Sequence, residues 1–272
     1  MWLSREAGRR PTTLVTGASV GLGLEIAREL LARSFDVWIC ARSEVVLEKA
    51  ASANPGIQAI QADVRRDEDR RRLLAEIAAQ TGGRPLDCLI NNAAITRAHD
   101  YLNPFTLASD RARDEIETNL AAPIELIRLF LVSRRGYEAA PAAIVNIGTP
   151  GALFPLEASP LYSATKAGLH MFTRSLRRQL ADTPLKVIEV FPPALDTGLA
   201  DQLNVQSQAA NGPEVISAVA RETVDGILDG VETILPHEQA KQLYDAFPRG
   251  VTAVIDQINA GVKRRAGWDQ VR

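Results

Sequence analysis

The feature that most restricts how this chain can fold is a rhythm. Short apolar, β-branched runs alternate with longer amphipathic stretches along most of its 272 residues. The runs at Thr12–Thr16, Asp36–Cys40, Ile57–Gln61, Leu86–Asn91, Ala142–Ile147, Lys186–Phe191 and Glu232–Leu235 read as strands. The stretches near 21–33, 43–53, 67–82, 107–135, 160–182 and 213–229 read as helices. Strands that are apolar at nearly every position need cover on both faces, which strand-helix alternation supplies. Right-handed crossovers then predict a single-domain, doubly wound α/β fold. Its seven-stranded parallel sheet has order 3-2-1-4-5-6-7, with helices on both faces.

No internal repeat, low-complexity segment or Pro/Gly/Ser-rich linker divides the chain, so one domain is expected over 11–236. Residues 1–10 are expected to be a flexible N-terminus. Residues 237–272 are expected to form a C-terminal helical extension packed on the same domain, with Leu243, Phe247, Val251, Val254 and Ile258 at helical spacing. The polar stretch 197–213 breaks the rhythm, and a loop of that length inside a compact domain is usually functional or mobile.

Charge narrows the partners. Net charge is −2 and no long basic run exists, so nucleic acid is not an expected partner. Arg65, Arg66, Arg70, Arg71 and Arg72 alternate with Asp67, Glu68 and Asp69, as on a solvated helix face. No apolar run is long enough to span a bilayer, and the first eleven residues lack the apolar core of a signal peptide. Cys40 and Cys88 sit in apolar runs without metal-ligand spacing, which suits buried free thiols and a cytoplasmic setting. His99, His170 and His237 are scattered and form no metal motif, so no metal is expected.

Between the first strand and first helix lies Thr16-Gly17-Ala18-Ser19-Val20-Gly21-Leu22-Gly23. Glycines there permit a tight turn and close approach of backbone to a pyrophosphate, whose charge the helix N-terminus stabilises. In the first βα turn of such a sheet this is a dinucleotide-binding, Rossmann-type signature. An NAD site wants a carboxylate at the end of the second strand, whereas this chain has Ala41-Arg42-Ser43. Arg42 suits a 2′-phosphate, so NADP(H) is expected in preference to NAD(H).

A second signature opens the helix near 160–182. Ser159 is placed to cap it, and Pro160 suits its first turn. Tyr162 and Lys166 lie four residues apart, so phenol and ammonium share one face. An ammonium fixed beside a phenol favours the phenolate and lowers a pKa that starts near ~10, which is one way to make a general acid/base of tyrosine.

With the glycine turn, the Tyr-x-x-x-Lys pair and these strands together, the chain from about Pro11 to Leu235 resembles the one-domain short-chain dehydrogenase/reductase family. Asn119-Leu120-Ala121-Ala122-Pro123, the segment Tyr162–His170 and Pro192-Pro193-Ala194-Leu195-Asp196-Thr197 look closest to its DltE-like branch. The resemblance implies that Asp63 and Val64 contact adenine. It also implies that Asn91 to Ala94 lie beside the adenosine ribose, with Asn91 and Ala93 among the cofactor contacts, and that Asn119 is the active-site asparagine, anchoring a water beside Lys166. Together with Gly17, Ser19, Val20, Gly21, Leu22, Gly23 and Arg42, the positions Tyr162, Lys166, Pro192 and Thr197 complete the expected cofactor site.

Thirteen residues before Tyr162, where the family carries its catalytic serine, stands Thr149, followed by Pro150. Threonine keeps the hydroxyl but adds a methyl, and the proline biases it toward extended geometry. Pro193 replaces a family glycine and stiffens the adjoining backbone. Ile95, Ala152, Leu153, Phe154, Ala194, Leu195 and Leu199 are expected to line an apolar substrate crevice, with Arg97 the one cation near it.

The implied reaction is hydride transfer between a nicotinamide and a small-molecule carbonyl or alcohol. Tyr162 would be its acid/base, with Lys166, Thr149 and Asn119 in support. The alternative is a non-catalytic nucleotide-binding sensor or scaffold. An epimerase would need a differently spaced glycine turn and a larger C-terminal domain. Relatives in the family often pair through the helices near 107–135 and 160–182, so a homodimer or homotetramer is expected.

Overall fold

The computed structural model describes residues 2–3, 9–101, 109–195, 197 and 212–246. Seven strands form one parallel sheet: β1 (Thr12–Thr16), β2 (Asp36–Ala41), β3 (Ile57–Gln61), β4 (Cys88–Asn91), β5 (Ala142–Ile147), β6 (Leu185–Val190) and β7 (Thr233–Ile234). Their order across the sheet is β3-β2-β1-β4-β5-β6-β7, as the alternation requires. β1 and β5 are buried at every position, which explains why neither sequence alternates apolar with polar.

The connecting helices are α1 (Gly21–Ala32), α2 (Glu44–Ser52), α3 (Asp67–Gln80), α4 (Ser109–Ile116), α5 (Ala122–Ser133), α6 (Pro160–Gln179) and α7 (Pro213–Asp229). One core lies between the sheet and α1, α2 and α7, where Ile26, Leu30, Leu47, Val224 and Ile227 meet Val15, Ile39 and Ile90. The other lies between the sheet and α3, α5 and α6, where Leu73, Ile77, Leu126, Phe130 and Leu176 meet Leu14, Leu89 and Ile144.

The helix expected over 107–135 is not continuous. One π turn, Glu117–Ala121, separates α4 from α5, and the Ala122 amide reaches five residues back to the Glu117 carbonyl. Pro123 supplies the reason. It has no amide to offer the Asn119 carbonyl that a regular α-helix would pair with it. The wider turn lies at Asn119, beside the strand ends.

The described residues of the N-terminus make defined contacts. The Trp2 indole donates to the Ile227 carbonyl at 2.9 Å and Leu3 is buried. Arg9 forks onto the Asp87 carboxylate at 2.8 and 2.9 Å, and Arg10 donates to the Phe35 carbonyl. Residues 238–246 are helical, and Tyr244 stacks edge-on against Phe191, 5.2 Å between ring centres. The rest of the expected tail, from Phe247, lies outside the described residues. The charged run at α3 is more mixed than a solvated face. Arg71 pairs with Asp67 at the surface, but Arg70 is buried, donating to the Val64 carbonyl at 2.7 Å. Among the described residues no helix is long and apolar enough to cross a membrane.

Phe130 is fully buried between α5 and the sheet. Phe130→Ala is expected to cost about 3–5 kcal/mol in urea denaturation, from lost transfer energy plus the cavity left behind.

Candidate active site

Parallel strands with helical crossovers bring their carboxyl ends to one edge of the sheet, and order reversal between β1 and β4 opens a crevice there. That crevice is a cleft of about 880 Å³. Gly17, Ser19, Val20, Gly21, Leu22 and Gly23 form one wall. Gly17 and Gly21 adopt φ of +63° and +61°, in the left-handed region. Side chains there would also collide. A Cβ on Gly17 would stand 2.6 Å from the Ala93 Cα, and one on Gly21 2.8 Å from the Thr197 Cβ. Asn92 braces the turn by donating to the Thr16 and Gly17 carbonyls at 2.9 and 3.0 Å.

α1 begins at this turn with no side-chain cap and no acid in its first turn. Its first amides therefore keep their positive end for an anion, and the glycine cradle lets a diphosphate approach them. The residues fit a dinucleotide.

At the far end of the cleft lie Arg42, Asp63, Val64 and Arg65. Asp63 is held by Arg65 at 2.6 Å, and Arg65 also reaches Asp114 at 2.5 Å. Burial alone would raise the Asp63 pKa. The Arg65 hydrogen bonds and charge, with a smaller contribution from Arg42, hold it below the usual carboxylate value. Arg65 already has carboxylate partners, whereas Arg42 is exposed.

Thr149, Tyr162 and Lys166 meet at the other end. Thr149 is extended, at φ −165°, as its following proline favours. Its hydroxyl accepts from the Gly151 amide at 3.3 Å and hydrogen-bonds the Tyr162 phenol. Pro160 occupies the first turn of α6, but Ser159 does not cap it with its side chain. The local bond runs instead from the Leu156 amide to the Ser163 hydroxyl at 3.0 Å.

Lys166 donates from Nζ to the Ile147 carbonyl at 2.8 Å, and its Nζ lies 5.9 Å from the Tyr162 ring centre. The expected lowering of the phenol pKa is not what this geometry produces. Surrounding packing raises it, the Glu115 carboxylate raises it further, and the Thr149 hydrogen bond only partly opposes them. Tyr162 is half-buried and lines the cleft, so water tempers that push, but its direction keeps the phenol protonated at neutral pH. Burial brings Lys166 down to about 8, against an upward pull from Glu189.

Asn119 is fully buried behind the cleft rather than in its wall. Its Oδ1 accepts the Ile95 amide at 2.9 Å. Its Nδ2 donates to the Ile95 carbonyl at 2.7 Å and to the Thr165 hydroxyl at 3.2 Å. It thus ties the loop after β4 to α6.

Asn91 is a second departure. Its side chain turns inward and donates to the Asn146 Oδ1 at 2.9 Å, because the strand pleat points it away from the cleft. Asn92 and Ala93 line the cleft instead. Ile95, Ala194, Leu195, Pro192, Pro193 and Thr197 also line it. Ala152, Leu153 and Phe154 do not. The single 3₁₀ turn Pro150–Ala152 carries the chain away, and Leu156 and Ser159 form that wall. Leu199 lies outside the described residues. Arg97 is tied to the Arg111 carbonyl at 2.7 Å and faces Asp114 at 3.5 Å, outside the cleft lining.

The scattered histidines conceal two buried pairs. His99 Nε2 meets Glu115 Oε2 at 3.0 Å, and His170 Nδ1 meets Glu189 Oε2 at 2.8 Å. The signal available for the second was position: His170 falls one helical turn after Lys166. Cys40 and Cys88 are free and buried.

A family model for the short chain dehydrogenases matches residues 11–208. The uncharacterised oxidoreductase DltE of Bacillus subtilis is 37% identical over 251 residues, covering 91% of this chain and 96% of that protein. A short-chain dehydrogenase structure from Streptomyces avermitilis superimposes with a TM-score of 0.75 at 25% identity, covering 97% and 98% of the two chains. An actinorhodin polyketide ketoreductase variant solved with NADPH gives 0.66 at 27% identity, covering 90% and 92%.

Gly17→Ala is expected to destabilise the fold by more than about 1 kcal/mol in thermal or urea denaturation, since it adds left-handed strain to a backbone collision.

Proposed function

Because the chain belongs to the short-chain dehydrogenase/reductase family, we propose that it interconverts a carbonyl and an alcohol on a small molecule, preferring NADP(H), with Tyr162 as acid and base. The observation that carries this reading is the meeting of Thr149, Tyr162 and Lys166 in the cleft that also holds the glycine turn and the α1 N-terminus. A bound nicotinamide cofactor supplies the hydride chemistry. The protein's part is binding, orientation and the proton.

The α1 amides and the glycine cradle bind a diphosphate. Arg42, exposed at the end of β2, takes a 2′-phosphate. Lys166 spends one donor on the Ile147 carbonyl and keeps two more for a ribose hydroxyl. Tyr162 is protonated at neutral pH, so it is set to give its proton to a carbonyl oxygen. As the phenolate forms, the nearby Lys166 charge stabilises it, a gain made during the reaction rather than before it. Thr149 holds the phenol by a hydrogen bond and offers its hydroxyl to the same substrate oxygen. Ile95, Leu156 and Leu195 make the adjoining wall apolar, which suits an uncharged substrate body. The buried free thiols suit a reducing, cytoplasmic setting.

Turnover is tested by following reduced-cofactor absorbance near ~340 nm with NADPH and NADH against ketones and aldehydes. Tyr162→Phe is expected to lower kcat by about 10²–10⁴-fold while leaving NADPH binding intact. Turnover unaffected by this change rules out the acid/base role. Tight NADPH binding without turnover of any carbonyl favours a sensor or scaffold. Arg42→Ala is expected to weaken NADPH about ten- to a hundredfold by fluorescence titration and to leave NADH unchanged.

A further inference from the structure

The α6 face of the sheet carries a polar layer beneath the cleft that the reaction as described does not use. Glu189 on β6 is buried, at 2% exposure, and shares a register level with Asn146 on β5. Asn146 spends its amide on the Thr173 hydroxyl of α6 at 2.8 Å and accepts from Asn91. Glu189 turns to the same helix, where its Oε2 meets His170 Nδ1 at 2.8 Å. His170 is itself nearly enclosed and lies edge-on against Phe191, 5.6 Å between ring centres.

The other carboxylate oxygen, Oε1, is buried and has no hydrogen-bond partner among the described residues. It lies against the backbone of Gly148: a Cβ at that position would stand 3.1 Å from it. The neighbouring residue Ile147 provides the carbonyl that receives Lys166 Nζ, and His170 lies one turn after Lys166 on the same helix. One carboxylate is thus enclosed between the partner of Lys166 on the sheet and the turn that follows Lys166 on the helix. Leaving a buried carboxylate oxygen without a hydrogen bond is costly unless a nearby charge compensates it.

We propose that Glu189, held in place by His170, is the buried counter-charge that positions Lys166 and keeps it cationic beneath the active site. The proposal rests on the reading of Lys166 as the partner of Tyr162. A side chain at position 148 would crowd both this carboxylate and the Val190 carbonyl, each 3.1 Å from a Cβ built there. Burial drives Lys166 toward the neutral amine, and Glu189 is the group that opposes this. The other ionisable groups nearby are Tyr162 and His170 on α6 itself, and, beside the phenol, Glu115 with its partner His99. Glu189 touches no reacting atom. Its role is positioning.

The chain has five lysines, so carbon-13 labelling of lysine side chains allows Lys166 to be titrated by NMR in the full-length protein, assigned with Lys166→Met. Glu189→Gln keeps the shape and removes the charge. It is expected to lower the Lys166 titration midpoint by about one pH unit, and to move the alkaline fall of kcat by the same amount. Glu189→Asp is expected to keep most of the wild-type midpoint, with melting temperatures recorded for both variants. A Lys166 midpoint unmoved in Glu189→Gln overturns the proposal, as does one moved at least as far by Glu189→Asp. The NMR midpoint needs no substrate. A shifted midpoint in a protein that turns over no carbonyl therefore upholds the counter-charge while refuting the catalytic reading.

Discussion

Every functional group described above depends on one constraint. A parallel sheet buried on both faces sends all its strands out at the same edge. The glycine turn after β1, the Asn92-Ala93 turn after β4, Thr149 after β5 and Pro192 after β6 reach one cleft because their strands run in register beside one another. The helices then bring the remaining groups to that edge from above. α6 supplies Tyr162 and Lys166, and the interrupted helix before α5 supplies Asn119. The break at Glu117–Ala121 follows from Pro123, so a single backbone restriction puts a buried amide side chain where it can hold the Ile95 loop against Thr165.

Electrostatics in this cleft is governed by burial more than by pair spacing. Two residues four apart on a helix suggest an ammonium acting directly on a phenol. In the folded protein both side chains lose much of their water. That raises the phenol pKa and lowers the ammonium, and the nearby carboxylates oppose the second effect while reinforcing the first. The result is a proton kept on Tyr162 at rest and a cation kept below it. In the proposed reaction that arrangement would favour donation to a substrate oxygen, with the stabilisation appearing only as charge develops.

Two histidines that carry no recognisable motif turn out to be partners of buried carboxylates on either side of Tyr162 and Lys166. A His–Glu pair is inconspicuous in a linear chain when its members lie 16 or 19 residues apart on different elements. Only packing reveals that Glu115 faces the phenol side and Glu189 the lysine side. The same holds for Arg70, which sits in a charged run yet is buried, and for Asn91, whose place beside Asn92 says nothing of which way the strand pleat turns each one.

Periodicity and turn chemistry alone determined the sheet, its strand order, the dinucleotide cradle and the Tyr162–Lys166 pair. These depend on general rules, namely apolar runs alternating with 3.6-residue repeats, the handedness of crossovers and the backbone freedom of glycine. Tertiary structure alone decided which side chains enter the cleft. Ala152, Leu153 and Phe154 leave its wall to Leu156 and Ser159, and Asn119 works from behind it. It also decided the direction of each pKa, because desolvation is a property of the whole environment around a group and not of its neighbours in the chain.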